Sequence, residues 1–89
     1  MTIPGIYEIE SIEYRDGGIH ERTDRVKGRR FRIIRLAGSA PLLAGYVDEA
    51  DVILRTSSVC DWVCSDERLI VWTRNSVYKF RKVDKEATE

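Results

Sequence analysis

Residues 68–82 read RLIVWTRNSVYKFRK and predict a β-hairpin, from which the rest of the fold can be worked out. Two segments rich in β-branched and aromatic residues flank Arg74 and Asn75, and Asn tolerates the positive φ that a two-residue hairpin loop requires. Placing Thr73 opposite Ser76 sets the register. The predicted cross-strand pairs are then Trp72 with Val77, Val71 with Tyr78, Ile70 with Lys79, and Leu69 with Phe80.

The two faces of this hairpin differ in chemistry, because successive side chains of a strand point to opposite sides. One face is apolar and is expected to lie in the core; it carries Leu69, Val71, Tyr78 and Phe80. The other face combines an aromatic side chain with positive charge; it carries Arg68, Ile70, Trp72, Val77, Lys79 and Arg81. This outer face is the main functional feature that the sequence offers.

The first half of the chain predicts two further strands. Residues 6–14 are rich in Ile and Tyr, which favour strands. Their isoleucines recur every third position, which fits a helix or a strand whose phase is shifted once by a bulge, and we favour the strand. Asp16-Gly17-Gly18 marks a turn. Residues 29–36 predict a second strand that places Phe31, Ile33 and Arg35 on one side.

Two segments allow more than one structure. Residues 19–27 are polar and fit either a ragged strand or an exposed loop. Residues 38–50 fit a short helix capped by Ser39, or a turn near Pro41 followed by a strand over 42–47, because Gly45 and the β-formers after it disfavour a long helix. Short strands are predicted beyond this point over 52–56, 59–64, 69–73 and 77–82.

Short strands joined by brief turns in a chain of 89 residues indicate one small antiparallel sheet that buries its apolar face on itself. We therefore predict an all-β fold, a small and partly open barrel of SH3-like or OB-like size. An α+β fold with one short helix near 39–50 is the alternative. Residues 1–83 form the single predicted domain, and 84–89 form a frayed charged tail.

Charge is segregated along the chain although its sum is zero. Residues 1–14 and 36–67 carry net charges of −3 and −5, whereas residues 15–35 and 68–82 each carry +5. The absence of a global field argues against recruitment of nucleic acid or membranes by net charge. The first ten residues lack the pattern of a signal peptide, and no stretch reaches the ~20 apolar residues that span a bilayer. We therefore expect a cytoplasmic protein that does not bind membranes.

Cysteine and histidine chemistry is sparse. Cys60 and Cys64 are separated by ~13 Å on a strand, beyond the reach of a disulfide, so we expect free thiols. They share a strand face with Trp62, and we expect them to be small hydrophobic residues buried beside it. With His20 they make only three soft ligands, fewer than structural zinc uses, and no cofactor is predicted. A Cys–His nucleophilic pair is the only enzymatic reading, and we rank it last.

Two basic groups supply the candidate binding residues. The selected residues are Arg68, Trp72, Arg74, Lys79 and Arg81 on the hairpin, with Arg30 and Arg32 from the earlier strand. A positive groove with an aromatic platform is typical of small barrels that bind single-stranded nucleic acid. The competing interpretation is that the acidic blocks at 8–13, 48–51 and 61–67 lie across the sheet and neutralise these bases.

The sequence R-T-S-S-V at 55–59, followed by V-W-T-R-N-S-V-Y-K-F at 71–80, resembles a pattern of short uncharacterised bacterial and phage-borne all-β proteins. In these proteins a T-S-x-V strand leads into a T-x-N-S-x-Y hairpin. The resemblance covers under a third of the chain and implies a small β protein of bacterial or phage origin. It assigns no functional residue.

The functional prediction is a small cytoplasmic binding or regulatory module, without enzymatic activity, that contacts a protein partner. The alternative is a barrel that binds single-stranded nucleic acid through the Trp72 face. These predictions differ in one structural respect, since nucleic-acid binding requires basic side chains that are not already paired with carboxylates. The partner and the oligomeric state are left open.

Overall fold

Six antiparallel strands and one helical turn make up the part of the chain that the computed structural model describes, residues 3–49 and 51–83. In chain order the elements are β1 (Ile6–Tyr14), α1 (Thr23–Val26), β2 (Arg30–Arg35), β3 (Pro41–Tyr46), β4 (Ile53–Cys64), β5 (Arg68–Thr73) and β6 (Ser76–Lys82). Each strand pairs with its neighbours in sequence, and β6 pairs back onto β1. No helix in these ranges is long and apolar enough to cross a bilayer.

The barrel is closed. The prediction of a small all-β barrel is confirmed, but the predicted opening is absent because β1 pairs with both ends of the meander. Ile6, Tyr7 and Glu8 pair with β2, while the same strand runs along β6 from Tyr7 to Tyr14. Closure satisfies the backbone hydrogen-bonding groups that an open sheet would leave at its edges.

The register of the β5–β6 hairpin is the one predicted from the sequence. Leu69 lies opposite Phe80, Val71 opposite Tyr78, and Trp72 opposite Val77. The hydroxyl of Thr73 accepts a hydrogen bond from the Ser76 amide and donates one to the Ser76 carbonyl, both at 3.1 Å, which closes the turn. The four residues predicted to face the core are all buried: Leu69, Val71, Tyr78 and Phe80.

β1 contains the bulge that its isoleucine spacing predicts. Its pairing with β6 shifts between Ile9 and Ser11, so Glu10 is the additional residue. The shift allows Ile9 and Ile12, three positions apart, both to be fully buried. The strand prediction for this segment is therefore confirmed over the helical one.

Three local predictions need correction. The alternative helix near 39–50 is wrong in the described part of that range, since Pro41–Tyr46 is a strand paired on both sides. Arg35 does not face the core, because a bulge between Ile33 and Arg35 turns Leu36 inward instead. The two short strands predicted over 52–64 are one strand, β4, of twelve residues. The predicted tail, 84–89, lies outside the described residues.

The segment 19–27, predicted as ragged strand or loop, contains the only helix of the described ranges, the four-residue α1. Thr23 holds it against β1, because the Thr23 hydroxyl donates to the Ile12 carbonyl at 2.8 Å and accepts from the Ile12 amide at 3.0 Å. Gly28 then turns the chain with φ +84°, a conformation that side chains disfavour, and leads into β2. α1 thereby packs against β1, with Val26 in the core.

Candidate functional site

The predicted hairpin residues do share one outer surface. Arg68 lies opposite Arg81, Ile70 opposite Lys79, and Trp72 opposite Val77, and all six point away from the buried set. Trp72 is half-buried, and Arg74 lies in the turn beyond it. Up to this point the structure assembles the site as the sequence predicts.

Acidic side chains of β1 occupy the same surface, however. Glu8 binds Arg81 at 3.1 Å, Glu10 binds Arg68 at 2.5 Å, and Glu13 binds Lys79 at 3.0 Å. On the other side Asp61 of β4 lies opposite Trp72. We call the outer surface formed by the C-terminal half of β4 together with β5, β6 and β1 the paired face. Its charged and aromatic residues are Arg68, Trp72, Lys79, Arg81, Glu8, Glu10, Glu13 and Asp61.

The other two predicted residues, Arg30 and Arg32, lie on β2, and β1 separates them from the hairpin. Arg30 is opposite Glu8, whose carboxylate binds Arg81 from the other side. The two basic segments therefore do not merge into one patch. The interpretation that acidic blocks neutralise the bases is confirmed for Arg68, Lys79 and Arg81 of the hairpin, and also for Arg29, which binds Asp48 and Glu49 at 3.2 and 2.6 Å. It is not confirmed for the block at 61–67 or for Arg74, which form no ion pair among the described residues.

A second surface lies on the outside of β2, β3 and β4. Arg32, Gly45 and Ile53 form one row across these strands, and Arg35, Leu43 and Arg55 form the next. We call this surface the arginine face and define it by Arg30, Arg32, Arg55, Ile34, Leu43 and Ile53.

Aliphatic side chains at the centre of the arginine face are exposed to solvent. The exposed fractions of Ile34 and Ile53 are 47% and 51%, and Leu43 is half-buried. The Ile34 side chain lies over Gly45, where a Cβ would be in van der Waals contact with Cδ1 of Ile34 at 3.4 Å. Exposed aliphatic side chains that cluster, rather than occur singly, are typical of contact surfaces.

The arginines around this aliphatic centre are not neutralised by any carboxylate of the described residues. Among residues 3–49 and 51–83, Arg30, Arg32 and Arg55 form no ion pair, whereas the guanidinium of Arg35 donates to the Pro41 carbonyl at 3.3 Å. The sequence prediction included Arg30 and Arg32 but missed the others. In the sequence, Arg55 stands out only as the single base of the acidic segment 36–67. Ile34 lies at the bulge between Ile33 and Arg35, which the sequence does not predict.

The thiols and the histidine do not assemble. Cys60 and Cys64 are free and exposed, so the prediction of buried sulfur is wrong, although their strand assignment is confirmed. The Cys60 sulfur lies 3.9 Å from an Arg15 nitrogen, and His20 stacks on Tyr14 at 4.6 Å. In the described ranges His, Cys, Asp and Glu form no group of three or more that could hold a metal ion.

The resemblance to short bacterial and phage-borne proteins stays a prediction, because neither the barrel nor its surface charges bear on the origin of the chain. Comparisons with models of protein families, with curated proteins and with solved structures find no match to this chain.

Proposed function

We propose that the chain is a small cytoplasmic binding module without enzymatic activity, and that its arginine face contacts an acidic protein partner. The observation that carries this proposal is the combination, on one surface, of exposed Ile34 and Ile53 with arginines that form no ion pair within residues 3–49 and 51–83. Arginine and apolar side chains together are enriched where proteins bind proteins. Guanidinium groups at the rim of such a patch select carboxylates and raise the association rate.

The closed sheet supports recognition through side chains. Every strand of the barrel pairs with a neighbour on both sides over part of its length, so only short stretches are left for a partner strand to extend. We therefore place recognition in the pattern of side chains on the outer surface. The chemistry that fits the arginine face is a segment in which carboxylates flank one or two aliphatic side chains.

Binding of single-stranded nucleic acid through the paired face is the second candidate. Trp72 lies on the same outer surface as Arg68, Lys79 and Arg81, which favours a stacked base. The carboxylates of Glu8, Glu10 and Glu13 weigh against it, because the phosphates of a nucleic acid would have to compete with them for each basic side chain. The arginine face offers phosphates a better set of charges, but the side chains at its centre are aliphatic.

The absence of enzymatic activity is part of the proposal, and it is supported by the contacts of the two thiols. A nucleophilic cysteine needs a base within hydrogen-bonding reach. The Cys64 sulfur contacts the Ser65 carbonyl at 3.8 Å and Cys60 contacts Arg15, so in the described part of the chain neither is hydrogen-bonded to His20.

The test is a binding titration with a labelled peptide in which Glu residues flank interspersed Leu residues, followed by fluorescence anisotropy at low ionic strength. We expect Arg32→Glu to weaken binding about tenfold or more, since it replaces attraction by repulsion at the rim. Arg74→Glu is the control, because it makes the same charge change at an exposed turn. Ile53→Ser should also weaken binding, because it removes apolar contact area while preserving charge.

Three outcomes would reject the proposal. The peptide could fail to bind, the two charge reversals could weaken it equally, or Ile53→Ser could leave its affinity unchanged. A parallel titration with a single-stranded oligonucleotide separates the two candidates. Binding that depends on Trp72 and not on Arg32 would replace the protein-partner proposal with the nucleic-acid one.

A further inference from the structure

A cavity of about 240 Å³ opens beside α1, and none of its lining residues belongs to the arginine face. Its floor is apolar and consists of Ile12, Val26 and Leu54, all buried in the core. Three arginines, Arg22, Arg25 and Arg29, also line it, together with Tyr46. An adjoining cavity lined by His20 and Glu21 shares Arg22 and Arg25 with it.

The three arginines are not equivalent. Arg29 is held by Asp48 and Glu49, and its guanidinium carbon lies 4.6 Å from the centre of the Tyr46 ring, so its charge is already used. Its hydrogen bonds to these two carboxylates raise its pKa above the ordinary value. Arg29 therefore forms a fixed wall of the cavity.

Arg22 and Arg25 carry the positive charge that is available. Arg22 reaches the phenol of Tyr78, a neutral group whose pKa burial raises. Arg25 is exposed and forms no ion pair with any residue in 3–49 or 51–83. Two guanidinium groups that retain donors, placed above an apolar floor, match a ligand with a doubly charged oxyanion at one end and an apolar body at the other.

From this arrangement we infer that the cavity beside α1 is a binding site for a small aromatic phosphomonoester. A phosphomonoester carries nearly two negative charges at neutral pH and three acceptor oxygens, which suits Arg22 and Arg25 together. The aromatic body lies against Val26 and Leu54, beside the Tyr46 ring. This site is independent of the proposed protein contact, which uses other arginines.

The experiment titrates phenyl phosphate into the isotopically labelled protein and follows backbone amide resonances by NMR. We expect saturable shifts at Ile12, Val26, Tyr46 and Leu54 with a dissociation constant in the millimolar range or tighter. Inorganic phosphate tests the charge alone and benzyl alcohol tests the apolar body alone; both should bind more weakly than phenyl phosphate. Benzoate separates carboxylate from phosphate recognition, and it should bind more weakly because it carries a single charge.

The variants identify which groups bind. Arg25→Gln should weaken phenyl phosphate about tenfold, the loss expected for one charge-assisted contact. Arg74→Gln, which removes the same charge from an exposed turn, should change affinity less than about twofold. Val26→Thr keeps the shape of the side chain and adds a hydroxyl to the floor, so it should weaken phenyl phosphate but leave inorganic phosphate unchanged.

The inference is overturned if phenyl phosphate produces no saturable shifts, or if the shifts map to the arginine face. Equal weakening by Arg25→Gln and Arg74→Gln would show only a response to net charge and would also overturn it. Binding of benzyl alcohol or inorganic phosphate as tight as that of phenyl phosphate would remove one half of the recognition and contradict the ligand class. Arg25 is exposed and forms no ion pair in the described part of the chain, so its substitution should leave the fold intact.

Discussion

The paired face and the arginine face carry similar numbers of basic side chains, but only one of them keeps its charge available. On the paired face, β1 contributes Glu8, Glu10 and Glu13 to ion pairs with the bases of β5 and β6. On the arginine face, β3 lies between the two basic strands and contributes Leu43 and Gly45 instead. The neighbouring strand therefore determines whether a basic segment can recruit an anion.

The two surfaces also differ in the side chains that lie among their charges. Trp72 on the paired face is half-buried, so part of its ring is covered. It also lies opposite Asp61, whose negative charge disfavours a phosphate nearby. Ile34 and Ile53 on the arginine face are about half exposed. A surface can therefore carry an aromatic platform in its sequence and still be less suited to binding than an aliphatic patch nearby.

The alternation of inward and outward residues, on which the comparison depends, is tested by substitution of Phe80. Phe80→Ala should lower the free energy of unfolding by ~3–5 kcal/mol, because it leaves a cavity where Phe80 contacts Tyr7 and Phe31. Lys79→Ala, the adjacent outward residue, should lower it by less than ~1 kcal/mol. Urea denaturation measures both, and equal losses would overturn the register.

Removing carboxylates tests directly whether they neutralise the basic side chains of the paired face. The double substitution of Glu8→Gln with Glu10→Gln leaves Arg81 and Arg68 without their carboxylates. We expect binding of a single-stranded oligonucleotide to tighten about 10–100-fold at low salt, with a change in Trp72 fluorescence and a steep salt dependence.

Two further variants make this test specific. Adding Trp72→Ala should then weaken binding ~5–150-fold, which is the worth of one stacked base. Asp51→Asn with Asp66→Asn removes the same two charges from exposed turn positions outside β1 and serves as the control. If this control tightens binding as much as the β1 double substitution does, net charge rather than pairing explains the effect.

The core beneath the paired face contributes its own pH dependence. Burial raises the pKa of the Tyr78 phenol above its ordinary value of 10.0, against a smaller opposing effect of Arg22. The unfolded state therefore loses this proton first as the pH rises, so the contribution of Tyr78 to stability is complete below pH 10.0 and declines above it.

Urea midpoints of the wild type and Tyr78→Phe, measured between about pH 9 and 11, test this contribution. The wild type should lose stability more steeply, by at most about 1.4 kcal/mol per pH unit. Parallel curves would show that the alkaline loss of stability does not come from Tyr78.

The smallest expected effect is the difference in stability between losing an ion pair on the paired face and losing an arginine on the arginine face. A double-mutant cycle between Lys79→Ala and Glu13→Ala should give a coupling energy of ~0.2–1 kcal/mol that decreases as salt is added. Arg32→Ala, by contrast, should change stability by less than ~0.5 kcal/mol, because Arg32 has no ion pair to lose in the described structure. A coupling energy of zero would mean that the ion pair between Lys79 and Glu13 does not form in solution.

Local patterns predict the strands best where alternation and turn chemistry agree. The β5–β6 register follows from residues within one hairpin, and the bulge of β1 follows from the spacing of Ile9 and Ile12. The prediction fails at Arg35, because a bulge at Ile34 changes which of two neighbouring residues faces the core. That bulge lies in the pairing of β2 with β3, and the sequence of β2 carries no signal for it.

The candidate sites are predicted less well, because they depend on which strands become neighbours. The sequence of this chain by itself determined the all-β class, the hairpin and its apolar face, since these depend on alternation and turn residues a few positions apart. Only the tertiary structure decided that the barrel closes, that β1 lies between the two basic segments, and that Arg32 and Arg55 share a face with Ile53. The physical reason is that charge pairing and patch formation act through space between strands up to some seventy residues apart, such as Glu8 and Arg81.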